Sequence, residues 1–472
     1  MARIVFVQNI WYEYLGVMYI SALLKKHGHF TDVIIGNNSK DILHELKKLR
    51  PNIVGFSCLT SNYKWNLTIA NEIKKELGCL VLFGGIHPTA NPEIIEEPGI
   101  DVVCRGEGEY PVLELAEAVS GKVSITGIKN LWIKNKVQIY KNELRPLVQD
   151  LDELPFPDRD LYLKYGFFRH QEVLHFIAGR GCPFDCTYCH NNIGKEIYKG
   201  LGRYVRQRKT EFILREITEF KRKSKMKYVF FSDDVLWIKK DWMMSFLKAY
   251  KKEVNLPFYC TLTPKATDEN LIRTLKESGC YFTAIATETG NERIRHDLLR
   301  KRMTNKEYIE LASLLHKYDI PFATSAMLGL PGVSLDQTLD SVRLNWILKP
   351  FYPWTSIFQP YAKTWLAEYS IAHGYVSRDD LDCLSQDFYK MSVIKQEDSN
   401  AIINLHRLFY PICKFPKLMP VFMKLIKIPH NFIYDLIFLV FYAYYVKKLQ
   451  KLTYYQIVVH GLKWAKEFVR RG

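Results

Sequence analysis

Short apolar runs alternate with stretches of helical periodicity along residues 1–122. RIVFVQ precedes LGVMYISALLKKHGH, TDVIIG precedes SKDILHELKKL, and NIVGFSCL precedes NLTIANEIKKEL. Buried strands separated by amphipathic helices are typical of a doubly wound, Rossmann- or flavodoxin-like parallel sheet. Ligands of such sheets bind at the carboxyl ends of the strands, and Gly, Ser and Thr collect at those ends here.

A second alternation follows a break in the pattern. Residues 123–170 contain a predicted hairpin, NLWIKNKVQIY, and a proline-bearing stretch, LDELPFPDRDLY, that opposes helix continuation. Residues 171–362 then repeat six strand–helix steps, which predict a partial (β/α)6, TIM-like barrel with its chemistry at the strand carboxyl ends. Residues 363–472 are predicted to form a helical, basic and aromatic region. We therefore expect two α/β domains, a linker with a hairpin, and a helical C-terminal region.

Composition narrows the class of protein and directs attention to the C-terminal region. The chain has 472 residues, 48% hydrophobic and 25% charged, which is ordinary globular usage rather than that of a disordered or multi-span membrane protein. Its net charge is +16, and residues 401–472 hold twelve Lys and Arg against two acids. The N-terminus lacks the pattern of a secretory signal, which predicts a cytoplasmic protein.

The aromatic segment 432–446, FIYDLIFLVFYAYYV, lies between lysines. It is shorter than the roughly 20 apolar residues of a membrane span. Two interpretations stay open. One is a helix lying among lipid headgroups, with peripheral contact on the inner face of the membrane through residues 414–472. The other is a buried helix packed on the rest of the protein.

Three of the ten cysteines cluster in GRGCPFDCTYCHN, residues 179–191, after the first strand of the predicted barrel. In a reducing compartment, clustered cysteines indicate metal rather than disulfides. Cys182, Cys186 and Cys189 can bind three irons of a [4Fe–4S] cluster and leave the fourth iron without a protein ligand. The alternatives are chance, or a structural zinc site completed by His190, although zinc normally draws cysteine pairs from two separated loops.

This triplet, with aromatic Tyr188 before its last cysteine, resembles the radical S-adenosylmethionine superfamily, and further segments recur in the family's order. YVFFSDD, AIATETG and MLGLPG end the second, fourth and fifth predicted strands. The resemblance implies that these segments contact S-adenosylmethionine through Tyr188, Asp233, Asp234, Glu288, Thr289, Gly329 and Gly332. The acidic pair departs from the family's usual Gly-Gly-Glu. Taken singly, the acids could cap a helix and LGLPG could be a turn.

Residues 84–111, GGIHPTANPEIIEEPGIDVVCRGEGEYP, resemble the cobalamin-binding domain that precedes many radical S-adenosylmethionine cores. The resemblance implies corrin contacts from Ser57, Thr60, Gly84, Gly85, His87, Gly106 and Glu107. Glu13 stands where the methionine-synthase-like motif Asp-x-His-x-x-Gly has its histidine, so a protein ligand below cobalt is not expected. We interpret His87 as structural or as a contact to the corrin edge. The glycines and acids of RGEGE have a second interpretation, an interface with the barrel.

Together the resemblances, which cover residues 3–370, imply an enzyme with a [4Fe–4S] cluster, S-adenosylmethionine and cobalamin. We expect C-methylation of an unactivated carbon through a 5′-deoxyadenosyl radical and methylcobalamin, with no catalytic side chain beyond the cofactors. The expected partners are a small-molecule substrate, lipid-like or tetrapyrrole, and a reductase–flavodoxin or ferredoxin electron donor. Ala362 and Lys363 replace a Pro-Gly pair of relatives, so a substrate contact at that turn is not assigned.

Three alternatives differ in reaction or class. Relatives with this layout also catalyse oxidative cyclisation or rearrangement of tetrapyrrole- or lipid-like substrates without methyl transfer. A tRNA-modifying enzyme would suit the positive charge, but such relatives carry a second cysteine set and a small RNA-binding β-domain, so nucleic acid is disfavoured as a partner. A cobalamin sensor without catalysis would need the first domain but not the cysteine triplet.

Overall fold

The computed structural model describes residues 1–236, 239–381, 384, 392–430, 432–454 and 457. Cys383 and the part of the predicted membrane-contact region after residue 457 lie outside the described residues. The chain divides into two compact units. The first comprises Met1–Gln171, Phe176–Lys225 and Pro360–Asp387, and the second comprises Glu172–His175, Met226–Gln359 and Phe388–Gly472.

The first unit contains a sheet that is seven-stranded within the described residues. Its strands are β1 (Arg3–Gln8), β2 (Phe30–Ile35), β3 (Ile53–Ser57), β4 (Leu80–Gly84), β5 (Val102–Cys104), β6 (Leu131–Lys134) and β7 (Ile139–Lys141). The order is β2-β1-β3-β4-β5-β6-β7. Strands β1 to β5 pair in parallel, and the predicted hairpin, confirmed as β6 and β7, continues the sheet antiparallel.

Helices cover both faces of this sheet: α1 (Leu15–Lys26), α2 (Ser39–Leu49), α3 (Tyr63–Glu76), α4 (Ile86–Ala90) and α5 (Glu109–Gly121). Successive side chains of a strand point to opposite faces. Accordingly, Ile4 and Phe6 join a core with α1 and α5, whereas Val5 and Val7 join a second core with α2 and α3. The predicted doubly wound architecture is therefore confirmed.

Two short helices after the hairpin close one of these cores. They are α6 (Asp160–Leu163) and α7 (Gly166–Arg169). Leu161, Tyr162 and Phe168 are buried in the core that contains Ile4. The Tyr162 hydroxyl donates to Oε1 of Gln8 at 2.9 Å, at the end of β1. The stretch predicted as a linker thus contributes side chains to the core of the first sheet.

A second sheet, six-stranded within the described residues, forms the predicted partial barrel. Its strands are β8 (Val173–Phe176), β11 (Tyr228–Phe231), β12 (Phe258–Leu262), β13 (Cys280–Glu288), β14 (Phe322–Leu328) and β15 (Tyr352–Ile357). They lie in sequential order, and β11 to β15 pair in parallel. Two further short strands, β9 (Gly179–Arg180) and β10 (Arg206–Gln207), pair antiparallel beside the cysteine loop.

The barrel strands are separated by helices, and the last four of them begin with a side-chain cap. These helices are α8 (His190–Ile197), α9 (Thr210–Lys223), α10 (Lys240–Glu253), α11 (Glu269–Glu277), α12 (Glu292–Asp297), α13 (Asn305–Lys317) and α14 (Leu335–Leu348). Thr304 and Glu307 form a capping box before α13, and Ser334 and Gln337 form one before α14. Each box satisfies backbone N–H groups that have no partner in the first helical turn.

The C-terminal region is helical in its described part, as predicted. Its helices are α15 (Trp365–Ala372), α16 (Arg378–Leu381), α17 (Ser399–Lys414), α18 (Met419–Leu425) and α19 (Phe432–Gln450). Helix α17 packs on β15 and α19. One face of α19 joins the second unit's core through Tyr434 and Phe441, while Leu436, Leu439 and Val440 remain exposed. Among the described residues, no helix has the length and hydropathy to span a bilayer.

The first sheet's central strands support a stability prediction. Phe56 of β3 is 2% exposed, and its ring centroid lies 4.9 Å from that of Phe83 in β4. Phe56→Ala should leave a cavity in the core of the first sheet. It should lower the free energy of the unfolding that exposes the β3 and β4 amides by about 3–5 kcal/mol. Native-state hydrogen exchange of the β3 and β4 amides measures this. The control Val137→Ala, at a residue 88% exposed, should change it by less than about 0.5 kcal/mol. Equal effects would contradict the assigned core.

Candidate functional site

Backbone and hydroxyl hydrogen bonds join the loops at the carboxyl edge of the first sheet. Cys58, after β3, donates its N–H to the Gly84 carbonyl at 2.7 Å. The Thr89 hydroxyl donates to the Gly85 carbonyl at 2.7 Å and accepts from the N–H of Gly106, after β5, at 2.8 Å. These contacts bring predicted corrin contacts from three strands to one edge: Ser57, Thr60, Gly84, Gly85, His87 and Gly106.

Gly85 shows why this edge requires glycine. Its φ of +99° lies in the region that side chains disfavour, and a Cβ there would stand 2.9 Å from the Cys58 carbonyl oxygen. The backbone after β4 is therefore held close to the backbone after β3.

Buried polar atoms at the same edge test whether cobalamin fits. Asn9 Oδ1, the Tyr14 hydroxyl, Asn62 Nδ2 and His87 Nε2 are buried and have no hydrogen-bond partner in the described part of the chain. Leaving such an atom unpaired costs about 1–3 kcal/mol. The atoms follow or flank β1, β3 and β4, and they include both donors and acceptors, as the amide-bearing rim of a corrin requires. The edge thus fits the group that the sequence predicts.

His87 is a neutral imidazole at this edge. Its Nδ1 lies 3.2 Å from the Thr60 hydroxyl, and its ring packs against Tyr63 in a tilted arrangement with centroids 4.4 Å apart. Burial lowers the pKa of His87 to about 4, so the ring carries no charge at neutral pH. The prediction that His87 contacts the corrin edge stays a prediction.

Glu13 stands in the place of the methionine-synthase-like histidine, and its Oε2 accepts no hydrogen bond among the described residues. Its side chain is buried, and burial raises the pKa of its carboxyl despite the guanidinium of Arg159 at 4.0 Å. A carboxyl group in this position cannot offer the imidazole nitrogen that the methionine-synthase-like motif would place below cobalt.

The cysteine loop lies between β9 and α8 and is held by its own polar groups. The Cys189 N–H donates to the Cys186 carbonyl at 3.1 Å, and Asn192 Nδ2 donates to the same carbonyl at 2.8 Å. Burial alone would raise the pKa of Cys189. The hydrogen bond and charge of His190 and the amide of Asn191 outweigh it, so the pKa lies below that of an ordinary thiol.

The donor set of the loop fits an iron–sulfur cluster. Within the described residues no disulfide joins the cysteines. In the same residues, no three His, Cys, Asp or Glu side chains lie close enough together to hold a single metal ion. A cluster does not need such convergence, because each thiolate binds a different iron. Cys182, Cys186 and Cys189 are the residues that would hold it, and Tyr188 lies between the last two.

The turn after β15 supports the cysteine loop. The N–H of Leu366 donates to the carbonyl of Thr187 at 3.1 Å, within the first unit. Lys363, at the position where relatives carry glycine, has a φ of +66°. The backbone conformation expected of glycine is thus retained by a lysine, at a cost in strain.

The predicted S-adenosylmethionine contacts of the second unit follow its parallel strands. Asp233 follows β11 and is 7% exposed, and its neighbour Asp234 is exposed. Neither is the N-cap residue of α10, which is Lys239. Glu288 ends β13 with a φ of +61° and binds Nζ of Lys301 at 3.0 Å.

A buried arginine that the sequence did not single out shapes the turn at Glu288. Arg295 is 0% exposed and donates to the Thr287 carbonyl at 2.9 Å, the Met303 carbonyl at 3.0 Å, and the Thr289 carbonyl. These bonds hold the backbone on both sides of Glu288. An alternation of apolar and polar residues does not reveal such a residue, because arginine on a helix usually faces solvent.

The glycine turn after β14 is covered by a segment of the C-terminal region. Gly329 and Gly332 have φ of +75° and +71°. Gln396 Nε2 donates to the Leu330 carbonyl at 3.1 Å, and Ser392 donates to the Phe358 carbonyl at 3.3 Å after β15. The C-terminal region therefore reaches the carboxyl ends of the last two barrel strands, where the sequence predicts the chemistry of the barrel.

Glu107, predicted as a corrin contact, faces the flank of the cysteine loop. Its Oε1 accepts from Arg180 and from Arg206, each at 2.8 Å, and its Oε2 accepts from the Val148 N–H at 2.9 Å. Burial raises the pKa of Glu107, but the two arginine charges outweigh it and leave the pKa below its usual range.

Comparison with protein families identifies both domains. Residues 8–116 match the B12 binding domain, and residues 176–344 match the radical SAM superfamily. The chain therefore carries a B12-binding domain ahead of a radical S-adenosylmethionine domain. The resemblance inferred from the motifs is confirmed.

Individual relatives are similar to this protein over about three quarters of its chain. An uncharacterised methyltransferase of Pyrococcus horikoshii is 27% identical over 371 residues, covering 76% of this chain and 79% of the relative. The anaerobic magnesium-protoporphyrin IX monomethyl ester cyclase of Cereibacter sphaeroides is 24% identical, covering 74% of this chain but only 58% of the cyclase. The radical S-adenosylmethionine methyltransferase TsrM of Kitasatospora setae shares the fold, with a TM-score of 0.64, 17% identity, and coverage of 80% and 77%.

Arg295 gives a prediction for the turn at Glu288. Arg295→Lys should weaken S-adenosylmethionine binding about tenfold, because an ammonium cannot replace the planar fork that holds three carbonyls. Titration calorimetry of the anaerobic, cluster-loaded protein measures the affinity. Arg293→Lys on the same helix, where Arg293 is 91% exposed, is the matched control and should leave it unchanged. Unaltered affinity in both variants would show that this turn does not contact the cofactor.

Proposed function

We propose that this protein is a cobalamin-dependent radical S-adenosylmethionine methyltransferase that acts on an unactivated carbon of a small molecule. One observation carries the proposal: the B12-binding edge, whose buried polar atoms lack partners in the described part of the chain, and the three-cysteine loop belong to one compact unit. A sensor of cobalamin without catalysis would have no use for the loop.

The residues divide into three sets by the cofactor that each would hold. Cys182, Cys186 and Cys189 hold the cluster, and Tyr188, Asp233, Asp234, Glu288, Thr289, Gly329 and Gly332 hold S-adenosylmethionine. Ser57, Thr60, Gly84, Gly85, His87 and Gly106 hold cobalamin. When bound, the cluster supplies the electron that cleaves S-adenosylmethionine, and cobalamin supplies a methyl carrier.

The chain's own side chains bind and orient rather than react. Carboxylates at Asp233 and Glu288 attract the cationic amino group of a methionyl moiety, and Lys301 fixes the Glu288 carboxylate at 3.0 Å. Burial of Asp233 strengthens its electrostatic attraction, because the local dielectric constant is lower than that of water. His87, neutral and buried, donates or accepts a hydrogen bond without adding charge to the corrin edge.

The reaction is tested in anaerobically reconstituted protein supplied with S-adenosylmethionine, hydroxocobalamin and dithionite. We expect about four irons per chain and release of 5′-deoxyadenosine. Cys186→Ala should abolish the release and lower the iron content, because only two loop thiolates remain. Cys413→Ala, which removes a half-buried thiol of α17, is the control and should preserve both. Zinc in place of iron in the wild type would reject the radical enzyme.

Oxidative cyclisation or rearrangement without methyl transfer is the second candidate, favoured by the similarity to the magnesium-protoporphyrin ester cyclase. The two reactions differ in the fate of the methyl group. Methyl-labelled S-adenosylmethionine places label in the product, with S-adenosylhomocysteine as a coproduct, only in the methyltransferase. A tetrapyrrole or lipid-like substrate and a flavodoxin, with its reductase, or a ferredoxin as electron donor complete the proposal.

The outer surface of α18 and α19 supports a peripheral membrane contact for this cytoplasmic enzyme. Leu436, Leu439 and Val440 are each more than half exposed, along one face of α19. The exposed large apolar residues of α18, α19 and the segments beside them are Phe415, Leu418, Val421, Ile428, Phe432, Ile433, Leu436, Leu439, Val440 and Tyr444. A patch of this kind marks an interaction site.

Charge selects the occupant of this surface. Lys417, Lys424, Lys427 and Lys448 are exposed beside the patch, whereas Asp435 is engaged by Arg407 at 2.6 Å. A second copy of the chain would bring the same positive charges against these lysines. An anionic lipid surface satisfies both the apolar side chains and the lysines, and it would present a lipid-like substrate to the enzyme.

Vesicle flotation tests the membrane contact. Wild-type protein should float with phosphatidylserine-containing vesicles, less so at high salt, and weakly with phosphatidylcholine alone. Leu436→Glu with Leu439→Glu should reduce flotation at least about fivefold, because two charges would enter the apolar boundary. Ile347→Glu, at a residue 57% exposed on α14, is the control. Unchanged flotation of the double variant, or dimerisation through this face, would reject the contact.

A further inference from the structure

Segment 105–109, the RGEGE that follows β5, contacts both flanks of the cysteine loop. Arg180 precedes Cys182 by two residues, and its Nη2 donates to Glu109 at 2.6 Å while its Nη1 donates to Glu107 at 2.8 Å. Tyr198 follows α8, and its hydroxyl accepts the Glu107 N–H at 3.0 Å. One short segment of the B12-binding domain therefore holds the chain before the first ligand cysteine and the chain after the last.

The ion pairs of this segment are buried, which makes them costly to break. The side chains of Arg180, Arg206, Glu107 and Glu109 are between 5% and 18% exposed. Removing one partner of a buried pair leaves the other charge unpaired and desolvated. Arg206 of β10 pairs with Arg180 of β9, so Glu107 bridges two strands that flank the loop.

Gly106 leaves the space that Tyr198 needs. A Cβ at Gly106 would overlap the Tyr198 phenol, and its φ of +72° lies in the left-handed region. The N–H of Gly106 donates to the Thr89 hydroxyl, which donates in turn to the Gly85 carbonyl at the B12-binding edge. Hydrogen bonds, together with the peptide bond between Gly106 and Glu107, thus connect Gly85 to Arg180.

We infer that Glu107, Glu109 and Arg180 are positioning residues that set the separation between the B12-binding edge and the cysteine loop. This inference rests on the proposed function, because it requires both cofactors. It gives Glu107 a role different from direct contact with the corrin. Transfer of a group between two cofactors requires each reacting centre to lie within about 1 Å of its productive position. A displacement of that size costs up to about a hundredfold in rate.

The test measures a distance as well as a rate. Glu107→Gln and Glu109→Gln are made together in the full chain loaded with cluster and cobalamin. Pulsed dipolar electron paramagnetic resonance between the reduced cluster and cob(II)alamin reports their separation. We expect the distance distribution to shift or broaden by about 1 Å or more, with turnover reduced at least about tenfold. Iron content and affinity for cobalamin should stay within about twofold of wild type.

Glu114→Gln is the matched control, because Glu114 lies on the same helix and pairs with Arg145 at 2.8 Å but is 46% exposed. It should leave the cluster–cobalamin distance and the turnover unchanged.

A second series of variants uses Arg180→Met alone and combined with Glu109→Gln. If the pair acts as one unit, the double variant should be no worse than Arg180→Met.

The outcomes separate the inference from the proposed function. A wild-type protein that binds only one of the two cofactors would overturn both. An unchanged distance in the Glu107 and Glu109 double variant, with both cofactors bound, would overturn the positioning role alone. So would a cobalamin affinity that falls in proportion to turnover, because that result would make Glu107 a corrin contact.

Discussion

Buried guanidinium groups paired with carboxylates or carbonyls hold the loops of both candidate cofactor regions. Arg180 is bound by two glutamates beside the cysteine loop, and Arg295 donates to three carbonyls around Glu288. A planar guanidinium offers five donors in a rigid fork, and burying it without partners is costly. Each arginine therefore enforces one arrangement of its loop, and the predicted ligand contacts depend on that arrangement.

The first unit combines two structural elements that a methyl-transferring radical enzyme needs. The edge after β1, β3 and β4 retains buried polar atoms without partners among the described residues, and the cysteine loop retains three thiols on one short segment. The two are joined through Gly106 and Glu107 rather than by a flexible linker. Placing the elements in one folded unit fixes their separation before any cofactor binds, which avoids an ordering cost at the moment of reaction.

The C-terminal helices serve two surfaces at once. One side of α19 packs into the core of the second unit through aromatic rings, including the stacking of Tyr445 on Tyr352 at 4.4 Å. The opposite side carries leucine and valine in solvent contact. The two interpretations of segment 432–446 are therefore not exclusive, because one face of the helix is buried and the other supports contact with lipid.

The sequence by itself determined the elements and the chemistry of the ligand set. Periodicity located α2 at Ser39–Leu49, because the burial of one helix face imposes a local pattern. The cysteine spacing predicts the metal ligands in the same way, since all three lie on one loop. Only the tertiary structure decided which partners Glu107 has, that Arg295 is buried, that the hairpin extends the first sheet, and which face of α19 is exposed. Those facts depend on contacts between residues far apart in the chain, such as Glu107 and Arg180, and no local pattern records which distant charge will be the partner of a buried one.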